Sequence, residues 1–69
     1  MPFYVVREKD GEVFRKNGSF GDQKSGWKEF RNLNAAKVSA ILCARYRRDK
    51  MRVDNENGET LFETDGGDA

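Results

Sequence analysis

Six basic residues and a single acid lie between Lys37 and Arg52, and six acids with no base run from Asp54 to the last residue. A formal net charge of +1 conceals this division. Cations gathered on one surface attract an anionic partner, either nucleic acid or an acidic protein groove. The spacing of Lys37, Ile41, Arg45 and Arg48 predicts one side of a helix, and these four form the expected docking stripe. Ile41 is the apolar centre of that stripe, with a polar rim around it. Arg47, Lys50 and Arg52 follow closely enough to add secondary contacts. Each feature also has an ordinary reading. Basic residues near a helix C-terminus offset the dipole and solvate the surface, and Ile41 would pack under a loop if the helix were deeply sunk.

Other chemistries lack their reagents. The chain has no histidine, which removes Ser-His-Asp and Cys-His nucleophile pairs and any His-containing metal site. The one cysteine, Cys43, makes neither an internal disulfide nor a thiolate zinc cage, and reads as a small buried hydrophobe. Carboxylates can work in pairs as acid and base. Those of the C-terminal half fall on an exposed hairpin and tail, with no apolar pocket to raise one pKa. Gly18, Gly21 and Gly26 match neither a Walker A motif nor GxGxxG after a strand. We therefore expect no enzymatic activity, no metal, no cofactor and no small-molecule substrate. So few cysteines favour a cytoplasmic protein. MPFYVVREKDG does not read as a signal peptide, and no apolar run reaches the roughly 18 residues of a membrane span.

The elements that must position these residues are short. At 69 residues, 36% of them apolar, the chain fits one shallow domain of two packed layers. Phe3-Tyr4-Val5-Val6 and Val13-Phe14 flank Asp10-Gly11, the signature of a hairpin, and a two-residue turn would pair Arg7 with Phe14. That register leaves both faces mixed. Residues 17–26 read as a flexible loop with Phe20 stranded in it, and residues 27–30 as a short third strand. Asn32 is the expected N-cap of a helix over 33–48, rich in alanine and free of Gly and Pro. Ala35, Ala36, Val38, Leu42, Cys43 and Tyr46 share its predicted inner arc. A second hairpin pairs residues 51–53 with 60–62 around Asn55-Glu56-Asn57-Gly58. Residues 64–69 complete the chain as an acidic mobile tail. The expected fold is α+β: one domain over 1–63, with a small antiparallel sheet of two hairpins, four or five strands, packed on one face by one helix.

The aromatics Phe3, Tyr4, Phe14, Trp27, Phe30 and Phe62 fall on predicted strands, with Arg7, Arg15, Lys16 and Lys28 nearby. Exposed, they would stack single-stranded nucleic acid; buried, they form the core face of the sheet. No stretch matches the RNP1 pattern or a KH GxxG loop. The run Phe30-Arg31-Asn32-Leu33-Asn34-Ala35-Ala36-Lys37, followed by Met51-Arg52-Val53, Asn57-Gly58 and Leu61-Phe62, resembles a strand–helix–hairpin arrangement of small α+β proteins. In size, single-domain makeup and lack of catalytic residues the chain resembles the small inhibitors encoded by bacteriophages, such as anti-CRISPR proteins. That resemblance implies a non-enzymatic module that covers a surface of another protein or complex, one that handles nucleic acid. The alternative is direct nucleic-acid binding through the basic helix end and basic strand residues. Near-neutral net charge favours the first.

Overall fold

The computed structural model describes residues 2–64. The strands are β1 (Phe3–Arg7), β2 (Val13–Phe14), β3 (Phe20–Gly21), β4 (Met51–Asn55) and β5 (Thr60–Glu63), with helix α1 (Leu33–Arg47) between β3 and β4. They form a five-stranded antiparallel sheet in the order β3-β2-β1-β4-β5. The N-terminal meander runs outward from β1. Helix α1 then carries the chain back across β1 and β4, so that β4 pairs with β1 over its full length. The fold is the expected α+β arrangement.

The first hairpin differs from its expected register. Val6 pairs with Val13, and the Arg7 N–H donates to Glu12 O at 2.8 Å, so the loop spans 8–11 instead of a two-residue turn. The cause is local. The Arg7 guanidinium bonds both Asp10 and Glu12, at 2.8 and 3.0 Å, and Gly11 takes a φ of 72°, open to glycine at low cost. Strand alternation then sorts the side chains. Val5, Met51 and Val53 join Ala36, Ala40, Ala44 and Phe30 beneath the helix. Tyr4, Val6 and Val13 form a second small cluster on the opposite face, where Trp27 packs over them.

Three other expectations are corrected. Residues 17–26 are ordered around β3 and a 3-10 turn over Lys24–Gly26; Phe20 packs edge-to-face on Phe14 at 5.5 Å. Residues 27–30 are no strand. Trp27 and Phe30 each make one isolated bridge, to Arg15 and Phe3. Thr64 does not begin a tail: its N–H donates to Met51 O, and its Oγ1 accepts from Met51 N, both at 2.9 Å. The remainder of the expected tail, 65–69, lies outside the described residues.

The helix ends are defined chemically. Asn32 Oδ1 accepts from the N–H groups of Asn34 and Ala35, at 2.8 and 3.2 Å, as expected of an N-cap. At the other end Arg48 takes a left-handed conformation, φ 57° and ψ 41°, so the helix stops one residue short of its expected end. This is the position glycine usually holds. Arg48→Gly is therefore expected to stabilise the fold by about 1 kcal/mol, read as a higher midpoint in thermal denaturation.

Candidate functional site

The helix is rotated about a third of a turn from the orientation its apolar pattern predicts. Its buried row is Ala36, Ala40 and Ala44. Val38, Leu42 and Tyr46 lie about 200° round from that row, on the solvent side, at 55%, 58% and 88% exposure. The sheet explains the choice. Phe3, Phe14, Phe20 and Phe62 crowd against the core from the strands, joined by Phe30, Met51 and the valines. Large side chains from one layer interdigitate with small ones from the other. Alanine at four-residue spacing is the signal that the sequence reading passed over.

The predicted stripe is thereby split. Lys37, Ile41 and Arg45 run along the β5 flank of α1. Ile41 is 37% exposed, so it is not enclosed under a loop. Lys37 is partly covered, its Nζ 5.6 Å from the centroid of the Phe62 ring, while Arg45 is exposed. Arg48 and Lys50 are exposed at the helix end. Among the described residues none of Lys37, Arg45, Arg48 and Lys50 reaches a carboxylate within ion-pair distance. Asp49, the lone acid of the segment, faces Lys9 at 3.6 Å instead.

Arg47 takes the other flank. Its Nη2 donates to Gly18 O at 3.0 Å and its guanidinium lies 5.0 Å from the Phe20 ring centroid, with the Arg7 guanidinium 4.8 Å from the same ring. These contacts fasten the 17–21 loop to the end of the helix. Cys43 lies on this flank too, half-buried and not enclosed as expected, and burial pushes its thiol above the ordinary value. A raised pKa leaves it mostly a thiol near neutrality and a poor nucleophile.

Arg52 does not belong with the others, which corrects its place among the secondary contacts. It sits on the sheet face opposite α1, where its Nε bonds both carboxylate oxygens of Asp54 at 3.1 and 3.2 Å. Strand alternation separates it from the helix: Met51 and Val53 point to α1, so Arg52 between them cannot. It borders a shallow groove of about 680 Å³ with Tyr4, Trp27, Glu29, Asp54 and Glu56. Burial raises the Tyr4 phenol, and the neighbouring Glu29 carboxylate adds to the effect. This groove carries charges of both signs and already pairs its best-placed cation internally.

The arrangement on the helix thus has an apolar crest, Val38, Leu42 and Tyr46, with cations and no acid anywhere along α1. Such a face can exclude water over its centre and meet negative charge at its edges. No described helix is long and apolar enough to cross a membrane. No protein-family model matches the chain, and no curated protein or solved structure matches it.

Proposed function

We propose that the protein is a non-enzymatic docking module that seats the outer face of α1 on an acidic protein surface and so alters what that partner can do. The observation that carries this reading is the crest. A small domain that buries three alanines and leaves Val38, Leu42 and Tyr46 in water has gained nothing for its own core from those larger side chains. Burial against a partner would recover about 1.5–3 kcal/mol for each fully covered large aliphatic side chain. The cations beside the crest, which pair with no acid among the described residues, select the partner's charge. For the same reason, inhibition of a nucleic-acid-handling complex, which the resemblance implies, would require contact with an acidic part of it. The basic surfaces that grip nucleic acid would repel this helix.

A photo-crosslinking residue at position 42 tests the reading, with one at exposed Lys16 as control. A specific protein adduct is expected from position 42 alone, competed by excess unlabelled protein. Leu42→Glu and the Arg45→Glu/Arg48→Glu pair should each weaken that association by about thirtyfold, roughly 2 kcal/mol. Competition that neither variant changes would refute the assignment.

Direct binding of single-stranded nucleic acid is the second reading, favoured by one observation: Tyr46 is 88% exposed between Arg45 and Arg47. Such a tyrosine can stack a base while arginines hold phosphates. In that case oligonucleotide affinity falls with salt, by about 0.7 in log slope per phosphate neutralised. Tyr46→Ala would then cost about 1–3 kcal/mol.

A further inference from the structure

Between the C-terminal half of α1 and the 17–21 loop lies a cavity of about 360 Å³, lined by Phe14, Gly18, Leu42, Cys43, Tyr46 and Arg47. Two of these, Leu42 and Tyr46, belong to the apolar crest, so the cavity is wide open to solvent and continues the exposed face. Its walls are mostly carbon, with one guanidinium among them. That guanidinium is held in place by the bond to Gly18 O and by the Phe20 ring. Among the described residues one of its five N–H donors is taken, by the Gly18 carbonyl, which leaves others for a carboxylate.

We propose that this cavity is the anchor pocket of the docking face, and that it receives one large apolar side chain from an acidic protein segment whose neighbouring carboxylate meets Arg47. The proposal rests on the reading of α1 as a docking face and names its occupant. Charge complementarity decides which occupant. Arg47 lines the cavity and is exposed, Arg45 and Arg48 are exposed on the far flank and at the end of the same helix, and α1 contains no acid. A second helix of the same kind would bring like charges together, which is unfavourable across an interface. An apolar side chain entering a pocket beside a paired charge is the usual makeup of a binding hot spot.

Cys43 lines the cavity and is the only cysteine, so its alkylation rate reports occupancy of the pocket. The probe is a synthetic peptide of roughly 15 residues, with leucine at i, i+3, i+4 and i+7 and glutamate elsewhere, a pattern that presents an apolar stripe when it folds as a helix on the protein. Its controls replace every glutamate by lysine, or every leucine by alanine. At alkaline pH the leucine–glutamate peptide is expected to slow alkylation about tenfold at saturation, while neither control does so. Leu42→Glu should weaken that peptide by about thirtyfold and leave the circular dichroism of the free protein unchanged. The proposal is overturned if the acidic peptide gives no protection up to about 1 mM, or if the lysine peptide protects equally. It is also overturned if protection rises with protein concentration alone and sedimentation shows dimers, since a second copy is then the occupant. Amide shifts separate the two levels. Shifts at Val38 and Leu42 with Cys43 still reactive sink the pocket and keep the docking face; no shift at either place sinks both.

Discussion

Ala40→Leu is expected to destabilise the protein by about 3 kcal/mol, whereas Leu42→Glu, two positions away, should stay within about 0.5 kcal/mol of the parent. The contrast follows from the rotation of α1. Ala40 is fully buried in the middle of the alanine row, facing Val5, Met51 and Val53. A leucine there adds a branched side chain to a layer already filled from the sheet, and the helix must lift. Lifting also uncovers Ala36 and Ala44, so the loss is not confined to one site. Leu42 is more than half exposed, and glutamate is a good helix former. Urea denaturation of the two variants reads the difference directly. Had the apolar pattern of the sequence governed the packing, Leu42→Glu would be the damaging change; that outcome would reverse the assignment of the helix faces.

Met51→Ala is expected to cost 2–5 kcal/mol, toward the upper end of the range for a deleted buried side chain. Met51 has no exposed surface and opens β4, beneath α1 and against β1. Its neighbours on the helix are alanines, too short to close over the space left behind. A chain of 69 residues has a total stability of roughly 3–10 kcal/mol at ordinary per-residue values, so the variant stands near the limit of folding. Met51→Leu, which conserves volume, should lose less than about 1.5 kcal/mol. A loss below about 1 kcal/mol for the alanine variant would mean that the helix settles onto the sheet, and that the core is softer than its packing indicates.

Much of the fold was legible because it rests on local chemistry. Asn32 preceding an alanine-rich run announces a helix start, and Asn55-Glu56-Asn57-Gly58 between apolar runs announces the second hairpin. The structure realises that turn with Asn55 Oδ1 accepting from Asn57 N and Glu59 N, both at 2.9 Å. The failures concern choices between competing partners. Phe20 sat in a glycine-rich loop with no periodicity, and only the Phe14 ring and the two flanking guanidiniums show why it is ordered. The register of the first hairpin turned on Arg7 bonding Asp10 and Glu12, a local side-chain preference that the Asp-Gly turn signal alone does not encode. The face of α1 was misjudged because an apolar moment ranks leucine above alanine, whereas the sheet offered room only for alanine. The candidate site inherits both results. Arg45 and Arg48 stand in water as expected, but their apolar companions are Val38, Leu42 and Tyr46 as much as Ile41.

The two outermost strands of the sheet carry a consequence for how the protein behaves at high concentration. β3 has two residues, too few to nucleate an added strand, and β5 is bordered by Glu59 and bears Glu63. The β4–β5 ladder is also interrupted at Val53/Asp54, which bends the rim away from a flat template. Charge, brevity and irregularity are the means by which sheets resist zipping into fibrils. The backbone rims are thus poor templates for intermolecular hydrogen bonding, which favours recognition through side chains projecting from the helix.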